Sequence, residues 1–343
     1  MTARAARARR RSRAASLLLF AWRRHRVLFV GAVLAIFVTA SAVFADRIAA
    51  YSPYDVDIAN KLRPPSTAHW LGTDEYGRDV LSRTIYAARI SIKVASVAVA
   101  VGLIGGTVIG SVAAYSGGVV DLVLMRLMEL LFSFPAILLA IVLMAVLGTN
   151  ILNAMTAIGI IFIPGFSRLA RAATQGAMRQ QYVEAAYAIG MSDLRILVRE
   201  VLPNIVTPLI VEAMQAFAYA VILEASLSFL GLGAQPPEPS WGNMLSSGRG
   251  FMDQAPWLGV VPGLTMFVGV LGFNLLGDGL RDLLDPRMRL RIAGATILRS
   301  RLDQQRGKGQ HFKRRSLRRA WPAEGARSKS IAIAGGAEAP QEG

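Results

Sequence analysis

Six long apolar runs dominate the sequence and limit what the chain can fold into. They lie at about 27–45, 92–114, 130–147, 151–167, 205–230 and 257–277. A membrane-spanning helix needs roughly 20 mainly apolar residues, and each run is close to that length. Backbone groups inside lipid must satisfy their hydrogen bonds within the segment itself, so isolated runs of this kind form helices. We therefore predict an all-α, polytopic membrane protein with about six transmembrane helices.

The basic residues are concentrated at the two ends of the chain. Residues 1–26 contain nine arginines and no acidic residue, and residues 281–343 contain fifteen basic and six acidic residues. Lys and Arg beside transmembrane helices favour the cytoplasmic side of the membrane. The pattern predicts cytoplasmic termini, extracytoplasmic segments at 46–91 and 231–256, and a cytoplasmic loop at 168–204. We expect the C-terminal tail to be mostly disordered and both tails to contact anionic lipid rather than a specific nucleic acid.

Several kinds of chemistry have no residues to support them. The sequence contains no cysteine and only three histidines, which lie far apart, so no metal-ligand spacing is present. The only Gly-Lys pair, at 307–308, lacks the other residues of a phosphate-binding P-loop. We predict that the chain is not an enzyme and needs no cofactor or metal. If its activity uses ATP, the hydrolysis belongs to other chains.

The loop between the fourth and fifth runs has an unusual helical pattern. Residues 179–189 contain helix formers and neither glycine nor proline, and Gly190 suits the left-handed position after a helix. Ser192 can cap a second helix, which Pro203 would stop or bend. Its apolar residues share one face: Leu194, Leu197, Val198 and Val201. The pattern predicts a helix–turn–helix whose apolar stripe packs on the chain's own helices, lies on the lipid or enters a groove on a partner, and we favour the first.

Three acidic residues fall within the apolar runs, where charge is costly and often functional. Glu129 begins the third run and is three residues after Arg126, so we expect these two side chains to pair. Glu212 and Glu224 lie in the fifth run and are candidates either for lining a transport pathway or for a structural role. For Glu224 we favour a hydrogen bond or ion pair between helices over contact with a substrate amine.

Two tryptophans and a polar group near the extracytoplasmic ends of the runs offer further alternatives. Trp241 and Trp257 either anchor the chain at the membrane interface or contact a partner. A polar group in the first extracytoplasmic segment forms an internal network or receives a partner, and we favour the network: Asp74, Gly77, Arg78, Asp79 and Arg83.

Within the apolar runs, Pro135 and Pro164 would kink their helices. Four glycines in the second run either permit close helix packing or reflect the general frequency of glycine in such helices.

The loop and three other stretches resemble one family of membrane proteins. Glu184-Ala185-Ala186, then Gly190, then Leu202-Pro203-Asn204 resembles the EAA loop of permease subunits of binding-protein-dependent ABC importers. Residues 69–92, 224–245 and 280–289 resemble parts of the C-type permeases of dipeptide, oligopeptide and nickel importers. The resemblance covers roughly residues 27–290. We use the name EAA loop for residues 179–204.

The resemblance implies a type I ABC importer permease fold in the inner membrane of a bacterium. It divides the chain into a basic tail (1–26), a first helix with an extracytoplasmic segment (27–91), a permease core (92–280) and a second basic tail (281–343). The implied partners are a homologous second permease subunit, two ATP-binding subunits, an extracytoplasmic substrate-binding protein and membrane lipid. The implied docking residues for the ATPase are in the EAA loop: Glu184, Ala185, Ala186, Gly190, Leu202 and Pro203.

The function implied by the resemblance is that of a transport subunit. The chain would form half of the translocation pathway of an ATP-driven importer of dipeptides and oligopeptides. Nickel or another small solute is an alternative cargo for the same architecture. A self-sufficient secondary carrier or channel, and a membrane-anchored scaffold that holds nucleic acid on its basic tails, are alternatives from other classes.

Overall fold

A computed structural model describes residues 26–284 of the chain. Within that range the structure is helical, and its only strand-like feature is an isolated bridge between Thr73 and Asp79. Five helices are long and apolar enough to cross a membrane, and a bent pair of shorter helices would provide a sixth crossing. The prediction of an all-α polytopic chain with about six spans is confirmed. The predicted tails fall almost entirely outside the described residues.

The helices are numbered here in chain order. They are α1 (Arg26–Val43), α2 (Ala45–Ile48), α3 (Val80–Ser116), α4 (Gly118–Phe132), α5 (Ala136–Leu147), α6 (Ile151–Met178), α7 (Gln181–Ala188), α8 (Asp193–Ile196), α9 (Leu202–Phe229), α10 (Trp241–Gly248) and α11 (Trp257–Leu284). Short 3₁₀ turns lie at Ile58–Asn60 and Arg249–Phe251, and a π-helical turn at Leu197–Val201 joins α8 to α9.

The most extensive helix pair is formed by α3 and α6. Gly102, Gly106 and Gly110 lie four residues apart on one face of α3, and a Cβ atom at any of them would collide with α6. At Gly102 that atom would lie 2.5 Å from the Cβ atom of Phe162. Small residues at helix contacts in lipid allow backbones to approach closely and gain dispersion energy. The glycines of the second run therefore serve close packing, as one of the two interpretations predicted.

The buried core lies where α9 packs against α3, α6 and α11, and α1 packs along α11. Most of its side chains are Ala, Val, Leu and Ile, while large apolar side chains such as Ile36, Ile104 and Val146 point outward and are exposed. Such an arrangement is typical of a bundle whose outer surface faces lipid instead of water.

The third apolar run, predicted as one span over 130–147 with a kink at Pro135, is divided between α4 and α5. The chain turns by 94° between α4 and α5, around the three residues 133–135. Pro135 lacks an N–H group and its ring clashes with a continuing helix, so α4 ends before it. The 12 residues of α5 extend for only about 18 Å, which is less than the thickness of a bilayer core. Pro164, by contrast, lies inside α6 without ending that helix.

Two other helices are longer than the apolar runs that predicted them. The second run, 92–114, is part of the 37-residue α3, which begins where the Asp79 carboxylate accepts a hydrogen bond from the Ser82 N–H. The fourth run, 151–167, continues to Met178 because residues 168–178 are rich in helix-forming Ala, Arg and Gln. The predicted loop at 168–204 is therefore shorter than expected, and only residues 179–192 lie outside the two long helical segments.

Candidate functional site

The first half of the EAA loop folds as its sequence predicts. α7 ends at Ala188, and Gly190 follows in the left-handed conformation with φ of 77°. The Gly190 N–H donates to the Tyr187 carbonyl at 2.9 Å, and the Met191 N–H donates to the Ala186 carbonyl at 3.1 Å. These two bonds form a Schellman motif, which satisfies helix-terminal carbonyls and favours glycine at its left-handed position. The turn after α7 is therefore fixed by Gly190.

The second half of the loop differs from the prediction. Pro203 does not end a helix, because α8, the π-helical turn and α9 form one continuous helical segment to Phe229. In the π-helical turn the Leu202 N–H bonds to the Leu197 carbonyl, five residues earlier. Asn204 donates its side-chain amide to the Glu200 carbonyl at 2.6 Å. These contacts allow the segment to include a proline. Ser192 precedes α8 as predicted, but its side chain makes no capping hydrogen bond.

The loop is held on the helix bundle by buried side chains and by a tyrosine pair. Val183, Ile196 and Val201 are fully buried against the bundle. The hydroxyl groups of Tyr115, at the end of α3, and Tyr187, on α7, lie 2.8 Å apart and share a hydrogen bond. No sequence pattern connects two tyrosines 72 residues apart. The tyrosine pair was therefore missed by the sequence interpretation.

The opposite side of the loop presents apolar groups to the surroundings. Ile189 is 77% exposed and Leu194 is 72% exposed, and Val198 is half exposed. The predicted stripe is thus divided, because Val201 packs on the bundle while Leu194 and Val198 point away from it. Exposed apolar residues clustered on one surface are typical of an interaction site.

The predicted docking residues are likewise divided between the two sides. Glu184, Ala185, Gly190 and Pro203 are exposed, and Leu202 is half-buried. Ala186 is buried and packs inside the chain, so it seats the loop on the bundle instead of being accessible to a partner. We define the loop surface as the exposed residues around Gly190: Glu184, Ala185, Ile189, Gly190, Leu194 and Val198.

Glu224 is enclosed within the bundle and has hydrogen-bond partners on two helices. Its side chain is 1% exposed. The Ser91 hydroxyl on α3 donates to one carboxyl oxygen at 2.7 Å, and the Ser228 hydroxyl on α9 donates to the other at 2.8 Å. This geometry corresponds to the favoured interpretation, an interhelical hydrogen bond that joins α3 to α9.

Glu212 lies on the same helix in a different environment. It is half-buried and makes no side-chain hydrogen bond or ion pair with any residue between 26 and 284. The carboxyl group lines a cavity of about 390 Å³ formed by α4, α5, α6 and α9. The remaining walls are mostly apolar and include five aromatic side chains: Phe132, Phe134, Phe162, Phe166 and Tyr219.

The third acidic residue of the apolar runs is paired as predicted. One Glu129 carboxyl oxygen lies 2.6 Å from the Arg126 guanidinium, and both side chains are exposed. A second pair, Asp121 and Arg171, joins α4 to α6 through two hydrogen bonds of 2.5 Å. Both pairs lie beside a separate polar cavity of about 480 Å³.

The predicted polar network before α3 is present. Asp74 is its buried centre, with one carboxyl oxygen 2.7 Å from the Arg78 guanidinium and 3.4 Å from that of Arg83. Asp79 caps α3 and contacts the His69 ring at 3.0 Å. Burial raises the pKa of the neighbouring Glu75 above its usual value. The network fixes the start of α3.

Trp241, expected either to anchor the chain at the membrane interface or to contact a partner, is part of the core. Trp241 is 1% exposed, and its ring N–H donates to the Thr84 carbonyl at 3.2 Å. It begins α10, a helix that the sequence interpretation missed because the preceding residues are rich in proline. Ser240 and Asn243 form a reciprocal capping box at its start. Trp257 is half-buried and donates to the Thr73 carbonyl, so it also has a structural contact.

Comparison with known proteins gives the family. Residues 106–290 match the model of the binding-protein-dependent transport system inner membrane component. The chain belongs to this family. This permease is therefore an inner membrane component of a transport system. Its long apolar helices agree with a location in the membrane.

Three relatives illustrate the similarity. The dipeptide transport system permease protein DppC of Alkalihalophilus pseudofirmus is 41% identical over 267 residues, which cover 78% of this chain and 88% of the relative. The glutathione transport system permease protein GsiD of Escherichia coli is 44% identical over 78% of this chain and 90% of its own length. A putative peptide transport system permease protein of Brucella abortus is 40% identical with the same coverage.

Proposed function

We propose that this chain is one permease subunit of an ATP-driven importer of small peptides. It would pair with a homologous second permease, and each subunit would form half of the translocation pathway. The support for the cargo comes from relatives named for the transport of dipeptides, glutathione and peptides, all 40% or more identical to this chain. Glutathione is itself a short peptide, so the three names share one chemical class.

The observation that carries the proposal is the loop surface. A turn fixed by Gly190 presents the exposed side chains of Ile189 and Leu194, while Val183 and Ile196 hold the loop on the bundle. A rigid element with an apolar outer side can enter a groove on another protein and transmit its movement to the helices. We infer that the loop surface docks with ATP-binding subunits, which would hydrolyse ATP on separate chains.

The proposal includes an orientation in the membrane. The EAA loop and both termini would be cytoplasmic, and the polar network around Asp74 would face an extracytoplasmic binding protein. Because the sequence contains no cysteine, a Ser192→Cys variant carries a single reactive thiol. A membrane-impermeant maleimide should label this thiol in inverted vesicles and leave it unlabelled in intact cells. Labelling from outside intact cells would place the loop on the wrong side for ATPase docking.

The docking test uses the chain expressed with its second permease, ATP-binding subunits and binding protein. Gly190→Pro, or Glu184→Lys together with Gly190→Asp, should leave the chain in the membrane but abolish copurification of the ATP-binding subunits and ATP-dependent peptide uptake. Asp282→Asn, an exposed carboxylate change at the end of α11, is the matched control and should retain both. Normal uptake by the loop variants would contradict docking through this surface.

The alternative functions and the alternative cargo predict different results when uptake is measured in membrane vesicles. Uptake by this chain without ATP-binding subunits would identify a secondary carrier or channel. Uptake of Ni²⁺ or another solute, with no uptake of any peptide, would change the cargo and leave the subunit role intact.

A further inference from the structure

The strongest unexplained feature of the molecule is the unpaired carboxyl group of Glu212. It lies ten residues into α9, about 15 Å along a membrane-spanning helix. A carboxylate at that depth is costly unless it meets a partner or a water-filled cavity. The structure gives it the cavity and, between residues 26 and 284, no side-chain partner. The carboxyl group is therefore free to bind something that enters from outside the chain.

The walls of the cavity indicate which charge that occupant carries. Tyr219 lies two helical turns after Glu212 on the same face of α9, and its ring is 6.2 Å from that of Phe162 on α6. Phe132 and Phe134 contribute from the bend between α4 and α5. Aromatic faces carry partial negative charge and attract cations, and a carboxylate adds a full charge. The combination favours an organic ammonium group with an apolar remainder.

We propose that this cavity is a transit site for peptides, in which Glu212 binds the N-terminal ammonium group and the aromatic walls bind apolar side chains. The inference rests on the proposed function, because it needs a peptide in the pathway. The cavity's volume of about 390 Å³ is within the range of small-molecule sites. A single carboxylate gives a contact weak enough for the peptide to leave, which transport requires.

A positive charge lies behind one aromatic wall of the cavity, outside the cavity itself. The Arg168 guanidinium rests on the ring of Phe132, 3.7 Å from its centre, while that ring also lines the cavity. Arg168 lines the neighbouring polar cavity together with Asp121 and Glu129, so within the aromatic cavity Glu212 is the only charged side chain among the described lining residues.

The experiment uses the complete complex in proteoliposomes, with the second permease, the ATP-binding subunits and the binding protein. The probe is radiolabelled Ala-Phe dipeptide. Glu212→Gln keeps the shape of the side chain and removes its charge, so the initial uptake rate should fall about tenfold, as expected for the loss of one charge-assisted contact. Glu212→Asp should retain uptake within about threefold. Asp282→Asn should match the wild type, and all variants should keep the ATPase activity that the loaded binding protein stimulates.

A direct readout reports whether the peptide occupies the cavity. With p-benzoylphenylalanine in place of Tyr219, illumination during transport should attach labelled dipeptide to this chain. The yield should fall several-fold when Glu212→Gln is added, even though the photoreactive group is unchanged.

Three results would overturn the inference. Equal uptake and equal crosslinking in Glu212→Gln would show that the carboxylate does not bind the peptide. Loss of the second permease from purified Glu212→Gln complexes, with normal assembly of Glu212→Asp, would identify Glu212 as a contact between permeases. Failure of the wild-type complex to import any peptide would overturn the proposed function and the transit site together, whereas the first two results would leave the proposed function intact.

Discussion

Glu212 and Glu224 lie on the same helix, twelve residues or about 18 Å apart, and their surroundings differ in every respect that matters for function. Glu224 is enclosed, and serines from α3 and α9 satisfy both of its carboxyl oxygens. Glu212 is half-buried beside an aromatic cavity and has no side-chain partner within the described part of the chain. An acidic residue inside a membrane span is therefore not a single category of site.

The difference between Glu212 and Glu224 distinguishes two roles for a carboxyl group inside a membrane-spanning helix. Where hydrogen-bond partners are built into the fold, the carboxyl group joins helices, and its removal leaves those partners unsatisfied. Where no partner is built in, removal leaves nothing unsatisfied, and the cost of keeping the group is offset only when a ligand or another subunit supplies a contact. The following predictions test this separation by measuring stability at both positions.

The largest effect on stability is expected from Glu224→Leu. The substitution leaves the hydroxyl groups of Ser91 and Ser228 buried without the carboxyl oxygens that accept from them. Each unsatisfied buried group costs about 1–3 kcal/mol, so the free energy of unfolding should fall by about 2–4 kcal/mol. Titration of the purified permease pair with SDS in mixed micelles measures this change. Glu224→Gln, which can still accept one hydrogen bond, is the control and should lose less.

An intermediate effect is expected from the coupling between Glu224 and Ser91. In a double-mutant cycle with Glu224→Gln and Ser91→Ala, the interaction energy should be about 0.5–2 kcal/mol, because the two side chains share a buried hydrogen bond. The same cycle with Glu212→Gln and Ser91→Ala should be additive within about 0.5 kcal/mol. Similar coupling in both cycles would show that the two carboxyl groups belong to one network.

The smallest effect on stability is expected from Glu212→Leu. No group within residues 26–284 loses a hydrogen bond, so the free energy of unfolding should stay within about 0.5 kcal/mol of the wild type or increase. Peptide uptake should nevertheless fall in the same preparation. A loss of stability comparable to that of Glu224→Leu would remove the distinction between the two positions.

The sequence interpretation succeeded where a local pattern was sufficient and failed where distant residues decided the outcome. Gly190 ends α7 as predicted, since the left-handed turn depends only on neighbouring residues. Pro203 was predicted to stop or bend a helix, yet the π-helical turn before it allows the helix to continue. Trp241 was expected either to lie at the interface or to contact a partner, yet its ring N–H donates to the Thr84 carbonyl, 157 residues earlier in the chain.

The sequence by itself determined the class of the protein, because apolar length, basic flanks and the EAA loop residues are local properties that lipid and backbone chemistry convert directly into helices and turns. Only the tertiary structure decided which acidic residue is satisfied and which is not. The partners of Glu224 come from α3 and α9, and the walls around Glu212 come from four helices, so these environments exist only after the helices pack. The pattern of residues along one helix does not specify which side chains of a neighbouring helix will pack against it.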